Sequence, residues 1–111
     1  MDNIKNDNYY LNKIKADLEY LIEISKDLTK EEFEKSILHQ DSIMFRMIQI
    51  SENSDKLTKE LKSRYTEISW QMMKGMRNRI VHEYGNVDLK IIFDAVKQDI
   101  PEFYETIKNL V

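Results

Sequence analysis

Residues 68–85 decide the fold, and they read ISWQMMKGMRNRIVHEYG. Ser69 is placed to cap a helix that starts at Trp70, because a serine side chain can accept a hydrogen bond from a free N–H of the first helical turn. The spacing of apolar residues from there to about Tyr84 is helical. Gly85 follows, and glycine readily takes the left-handed conformation that ends many helices. These features predict one helix over about 70–84.

Apolar residues at three-and-four spacing continue on both sides of this helix. Thr29 with Glu32 three residues later has the pattern of a capping box, and Asp88 is placed to cap a helix of its own. The further predicted helices are about 8–27, about 29–64 with a bend near 39–41, one that starts after Asp88, and one that starts at Pro101.

The composition favours an all-α fold. The chain has 111 residues, of which 41% are hydrophobic, with two Gly and one Pro. An all-β fold needs a turn every few residues and therefore more of both. We expect one domain over 1–111, a four- to five-helix up-and-down bundle with short loops. Its core would be thin, and an apolar residual surface would favour self-association.

Charge and cysteine content limit the function classes. The chain has no Cys, which excludes a disulfide framework and a thiolate metal site. A formal net charge of -3 is unlike a protein that grips nucleic acid over its whole surface, so any RNA contact has to be local or lie across a dimer cleft. Residues 1–8 lack the apolar core of a signal peptide, and no apolar run is long enough to span a bilayer. We therefore expect a cytoplasmic protein without a membrane partner.

The predicted helix over 70–84 carries the residues that are suited to chemistry. Arg77 offers a planar fork for a phosphate, and His82 in the last turn can act as a general acid or base. Asn78 can orient the imidazole or a phosphate oxygen. Arg77 and His82 lie about 140° apart around the axis, so they do not sit side by side on a straight helix. Two copies of the helix that meet across a symmetry axis could assemble one site.

Arg, His and Asn without a carboxylate cluster suit metal-free cleavage of RNA, in which the 2′-hydroxyl attacks the adjacent phosphorus. The same residue types at this spacing also occur in helical proteins that are not enzymes. His82 would then be a hydrogen-bonded histidine at a helix end, and Arg79 with Glu83 a surface ion pair. The residues alone leave both interpretations open.

Other polar residues have a structural explanation. His39 and Asp41 resemble a metal pair, but the chain has only two His and no H-x3-H spacing, so polar residues at a helix bend are the favoured interpretation. Asp41 and Glu52 could line a cleft or hold Arg77 in place, and we expect structural pairing for both. We expect core or dimer-interface packing for Met44, Met47, Met72, Met73 and Met76. We expect a solvated face, with guidance of RNA as the alternative, for Lys56, Lys59, Lys62 and Arg64.

The chain resembles the HepT family of HEPN-domain proteins over essentially its whole length. Arg77, four residues, His82, one residue and Tyr84 match that family's R-x4-H-x-Y motif. Ser69 stands where the family often has Pro, and both residues serve helix initiation. The resemblance is also carried by 68–70, 75–84, Val87-Asp88-Leu89, the acidic Asp41 and Glu52, and 99–101.

This resemblance implies a HEPN fold, a homodimer with the motif helices at its interface, and a metal-independent endoribonuclease without a cofactor. It further implies a toxin of a type VII toxin–antitoxin system of the HepT/MntA type. Its substrate would be RNA, and its partner an MNT-domain nucleotidyltransferase antitoxin. Arg77 and His82 carry over as catalytic, Asn78 as polar support, and Tyr84 as the residue that the partner modifies with AMP.

On a continuous helix Tyr84 would lie about 20° from Arg77 after two turns, which would set an attached AMP beside the cationic site. A function of another class remains open beside this one. The chain could be a non-catalytic dimeric HEPN binding module that recruits or restrains a nucleotidyltransferase. Both functions need the same cationic pocket, so the sequence does not separate them.

Overall fold

A computed structural model describes residues 6–111. This part of the chain forms seven α-helices and one π-helical segment, with no strand. In chain order they are α1 (Asp7–Ser25), α2 (Lys30–Lys35), α3 (Ile37–Asp55), α4 (Lys59–Arg64), α5 (Trp70–Glu83), α6 (Leu89–Asp94), the π segment (Ala95–Asp99) and α7 (Ile100–Ile107).

Four long helical units make the bundle: α1, α3, α5 and the continuous unit from α6 through the π segment to α7. Helix α3 packs between α1 and α5, and α1 also packs against the π segment and α7. Their apolar stripes meet in one core, and each fully buried Leu or Ile contributes about 1.5–3 kcal/mol. Fully buried side chains come from all four units and include Leu18, Met47, Ile80 and Ile107. The predicted all-α bundle is therefore confirmed, with the short helices α2 and α4 added to it.

The predicted second helix over about 29–64 is wrong as a single element. The capping box is confirmed, because the Glu32 N–H donates to the Thr29 hydroxyl at 3.1 Å and the Thr29 N–H to the Glu32 carboxylate at 3.0 Å. However, the chain leaves the helix at Ser36, whose backbone is extended, rather than bending at 39–41. The Ser36 hydroxyl instead accepts the His39 N–H and starts α3, since serine side chains compete for backbone groups.

A second interruption separates α3 from α4. Thr58 caps α4, and its own N–H and hydroxyl donate to the Asp7 carboxylate at 2.9 and 2.6 Å. Asp7 belongs to the first turn of α1, so this contact joins the start of α1 to the start of α4. Such a contact between distant parts of the chain cannot be read from local spacing.

The predicted helix at Pro101 exists, since α7 begins at Ile100 with Pro101 in its first turn, but the chain does not leave the helical path before it. Asp88 caps α6 as predicted, by accepting the Lys90 N–H at 3.0 Å, and the chain then stays helical to Ile107. Proline has no N–H and crowds the carbonyl four residues before it, which normally breaks a helix. Here the π segment, which is wider than an α-helix, precedes Pro101 and accommodates both the missing hydrogen bond and the bulk of the proline ring.

No helix of residues 6–111 combines the length and the apolar composition that crossing a membrane requires.

The packing of α1 on α3 includes a polar contact, because Arg46 of α3 donates to the Asp17 carboxylate of α1 at 2.7 Å. The Asp17 side chain is 11% exposed, and the Arg46 guanidinium also lies 4.1 Å from the centre of the Tyr20 ring.

Replacing Arg46 by alanine should lower the free energy of unfolding by about 1–3 kcal/mol, because the Asp17 carboxylate would stay buried without its partner. Urea unfolding followed by circular dichroism measures this. As a control, Lys90→Ala removes an exposed pair with Asp94 and should cost about 0.5 kcal/mol or less. Equal effects of the two changes would contradict a stabilising role for the Asp17–Arg46 contact.

Candidate active site

Helix α5 forms where the sequence predicted it. The Ser69 hydroxyl accepts the Met72 N–H at 3.3 Å, and the buried Met73 and Ile80 fix which side of the helix faces the core. Arg77 is half-buried at the junction with α3, whereas Asn78 and His82 are exposed.

The guanidinium of Arg77 is held by two partners. Its Nε donates to Glu52 Oε2 of α3 at 3.0 Å, and its Nη1 donates to Asn78 Oδ1 at 3.1 Å. These contacts confirm the structural pairing expected for Glu52, and they show Asn78 orienting the arginine rather than the histidine. Arginine has five N–H donors, so three remain for a ligand. The site therefore presents a fixed cationic fork.

The imidazole of His82 is exposed in the last turn of α5 and makes no side-chain hydrogen bond with residues 6–111. It lies about 7.5 Å along the axis from Arg77 and about 140° around it. Because both residues belong to one uninterrupted helix, a single chain does not bring them together.

Tyr84 lies just beyond α5. Its ψ of 131° is extended, and Gly85 follows with a φ of 91°, a conformation that glycine adopts at no steric cost. The φ of -54° at Tyr84 continues the helical path as far as Cα and Cβ, so the side chain leaves the backbone about 20° from the direction of Arg77, as predicted. Both side chains reach α3, where the Tyr84 hydroxyl donates to Asp41 Oδ1.

The Tyr84–Asp41 contact is exposed, and Tyr84 retains 58% of its accessible surface, so it is not a core tyrosine. The hydrogen bond to Asp41, followed by desolvation and the negative charge of Asp41, raises the pKa of the Tyr84 hydroxyl above its ordinary value of 10.0. The phenol is therefore protonated at neutral pH. The structural pairing expected for Asp41 exists, but its partner is Tyr84 and not Arg77.

The two contacts stand at opposite ends of the α3–α5 junction. Asp41 and Glu52 are eleven residues apart on one helix, or about 16 Å along its axis. The Tyr84 hydroxyl and the Arg77 guanidinium are thus held far apart within one chain, unlike in the sequence-based expectation.

Two apolar residues at the start of α3 are exposed, which their spacing did not predict. Ile37 and Leu38 at the start of α3 are 71% and 74% exposed, although their helical spacing resembles that of core residues. Val87 helps to line a cavity of about 250 Å³ that also borders Tyr84 and Asp41. The signal available in the sequence was the adjacent Ile-Leu pair, since neighbouring positions of a helix cannot share one narrow buried stripe.

Gly75 is an unexplained glycine in the middle of α5. A Cβ added there would meet nothing within 4 Å among the described residues. Glycine within a helix costs about 0.5–1 kcal/mol relative to alanine, and nothing in this part of the chain requires it. Gly75 shares the exposed face of α5 with Asn78 and His82, to within about 60°.

The remaining candidates are structural. His39 contacts the Ser36 hydroxyl at 2.7 Å and so has the structural role expected, although it lies at the start of α3 and not at a helix bend. No group of three His, Asp or Glu side chains in residues 6–111 could hold a metal ion. Met44, Met47 and Met73 are buried in the core, Met72 and Met76 pack against it, and the basic run from Lys56 to Arg64 is largely solvated.

Known proteins resemble this chain over most of its length. A "Putative RNase" of Caldanaerobacter subterraneus subsp. tengcongensis is 29% identical over 102 residues, which cover 92% of this chain and 91% of that protein. A "Probable ribonuclease HepT" of Thermococcus cleftensis is 29% identical over 92 residues, which cover 83% and 84%. A "Gamma-glutamylcyclotransferase and putative RNase" of Methanocaldococcus jannaschii is 33% identical over 102 residues, and this chain spans only 46% of its length.

No solved structure gives a significant match. The family model described as ribonuclease HepT-like matches residues 14–110, a range that contains all of α5 together with Asp41 and Glu52. The chain therefore belongs to the ribonuclease HepT-like family.

Proposed function

We propose that this chain is a metal-independent endoribonuclease that acts as the toxin of a two-component toxin–antitoxin system. The observation that carries the proposal is the fixed guanidinium of Arg77, with donors left for a phosphate, on the same helix as the exposed imidazole of His82. Membership of a family described as ribonuclease-like, and relatives named as RNases, support the reaction class.

The chemistry follows from these two groups. His82 accepts the proton of an RNA 2′-hydroxyl, and that oxygen attacks the adjacent phosphorus. The bond from that phosphorus to the 5′-oxygen breaks, the 5′-oxygen takes a proton from water, and a 2′,3′-cyclic phosphate remains, after which His82 returns its proton to solvent. Negative charge grows on the phosphate oxygens in the transition state, where the N–H groups of Arg77 stabilise it. Glu52 and Asn78 keep those groups aimed before the substrate arrives.

A symmetric dimer would complete the site. In a two-fold pairing of antiparallel α5 helices centred between residues 79 and 80, Arg77 of one copy lies level with His82 of the other. Such an isologous contact repeats itself, so one dimer would contain two equivalent sites. Gly75 supports close approach of a second helix to the exposed face of α5 that it shares with Asn78 and His82, because glycine has no side chain to hold the helices apart.

Regulation would act at Tyr84. We propose that a partner nucleotidyltransferase attaches AMP to its hydroxyl, which is exposed and lies at the end of α5 only two residues beyond His82. The added phosphate would carry negative charge towards the site that Arg77 of the second copy completes, and the nucleoside would add bulk. Both effects would oppose RNA binding.

Arg77→Ala and His82→Ala should each abolish RNA cleavage while leaving helicity intact, and a chelator should have no effect on the wild type. Gel analysis of a defined RNA, with detection of the cyclic phosphate end, measures this. Matched controls are Arg79→Ala on the same helix and His39→Ala, the other histidine, and both should cleave normally. A freshly purified and unmodified wild type that cleaves no RNA would favour the non-catalytic binding module.

At micromolar concentration the chain should sediment as a species of about twice its own mass of 13.4 kDa. Gly75→Leu should shift it towards a single chain without loss of helicity, because the added side chain has room within one chain but not against a second α5. Ala16→Leu, at an exposed position of α1, is the control and should stay dimeric. A wild type found only at 13.4 kDa would contradict the dimer.

Co-expression with the nucleotidyltransferase encoded beside this chain should add one or more AMP units to Tyr84 and remove the ribonuclease activity. Tyr84→Phe should stay active and escape silencing, because it lacks the accepting oxygen. Tyr104→Phe is the matched control, since the Tyr104 hydroxyl also donates to a carboxylate, that of Glu19 at 2.8 Å. Peptide mapping that finds AMP on another tyrosine would overturn the assignment.

A further inference from the structure

The hydroxyl of Tyr84 already has a carboxylate against it. We propose that Asp41 is the base that takes the Tyr84 proton when a nucleotidyl group is transferred to that oxygen, an inference that rests on the proposed modification of Tyr84. The chain to be modified would thus supply part of the chemistry of its own modification. The geometry comes from two elements: Tyr84 at the end of α5 directs its ring towards α3, and Asp41 of α3 accepts the hydrogen bond from its hydroxyl.

Transfer of a nucleotidyl group to a phenol oxygen needs a nearby base that accepts the phenolic proton. The pKa of the Tyr84 hydroxyl is raised, so a free phenolate is scarce at neutral pH. In the step proposed, the neutral phenol oxygen forms a bond to the α-phosphorus of a nucleoside triphosphate, and the bond from that phosphorus to pyrophosphate breaks. The phenolic proton moves to Asp41 as the new bond forms, and it passes from there to solvent. The reaction stays balanced, and no free phenolate has to form.

The surroundings leave room for the incoming nucleotide. Tyr84 is largely exposed, and a cavity of about 250 Å³ borders both it and Asp41. Ile37, Met44 and Leu89 give that cavity apolar walls, which suit the contact of a base or ribose. A structural role explains the hydrogen bond less well than a role in the transfer reaction, because an exposed contact of this kind adds little to stability.

Another tyrosine–carboxylate contact within residues 6–111 shows what distinguishes this one. Tyr104 donates to Glu19, and that contact likewise raises its pKa. Tyr104 is only partly exposed and packs against the core, and neither it nor Glu19 lines the cavity beside Tyr84. The adjoining cavity therefore distinguishes Tyr84 from Tyr104, and we expect transfer of AMP to Tyr84 and not to Tyr104.

The test compares Asp41→Asn, Asp41→Glu and Glu19→Gln with the wild type as acceptors of AMP. The purified cognate nucleotidyltransferase and ATP are supplied, and AMP incorporation is followed by intact mass. Asparagine can still accept the tyrosine hydrogen bond but cannot take its proton. Asp41→Asn should therefore lower kcat by about 100-fold or more at an unchanged KM for the acceptor chain. Asp41→Glu should recover part of the rate, and Glu19→Gln should behave as the wild type.

A second readout does not depend on the partner enzyme. In an NMR titration of the tyrosine ring carbons, Asp41→Asn should lower the pKa of Tyr84 towards its ordinary value, while Glu19→Gln should change only that of Tyr104. Wild-type kcat in Asp41→Asn would overturn the role of Asp41 and leave the modification of Tyr84 standing. A rise in KM alone would also overturn it, by assigning Asp41 to docking. A wild-type chain that receives no AMP on Tyr84 would overturn both proposals.

Discussion

The packing of α3 on α5 is the constraint on which the candidate site depends. The helices lie antiparallel, and acidic residues of α3 meet basic or hydroxyl side chains of α5 and the residue after it. Glu52 aims Arg77, Asp41 receives Tyr84, and Asp55 lies 3.7 Å from Lys74. Each of these contacts is exposed enough to contribute little to stability, so the apolar core has to fix the helix pair first. Their effect is on direction: they determine where a guanidinium and a phenol point.

Local signals predicted much of this fold. The caps at Ser69, Thr29 and Asp88 formed as expected, because each depends on a side chain and a backbone N–H two or three residues later. The breaks at Ser36 and before Thr58 were not predicted, since the apolar spacing continues across them. Thr58 in particular depends on Asp7, fifty-one residues away in the sequence.

The candidate site likewise combines positions that follow from helix spacing with contacts to residues far away in the sequence. Arg77 and His82 were placed on one helix and at a wide angle, and the structure has them so. Glu52 and Asp41, which pair with Arg77 and Tyr84, belong to α3, more than twenty residues earlier, and spacing alone could not pair them. The expected closeness of the Tyr84 hydroxyl to Arg77 was wrong for that reason, because Glu52 and Asp41 hold the two side chains at opposite ends of α3.

The separation within the α3–α5 pair bears on how silencing would work. About 16 Å of α3 lies between Asp41 and Glu52, so a phosphate on Tyr84 does not reach the Arg77 of its own chain. In the two-fold pairing that sets Arg77 level with His82 of the second copy, Tyr84 lies level with Gly75 of that copy, about 3 Å along the axis from its Arg77. AMP would then block the composite site to which the partner chain contributes its arginine. Catalysis and silencing would both depend on the same pairing of α5 helices, and disruption of the dimer would remove the activity that the modification controls.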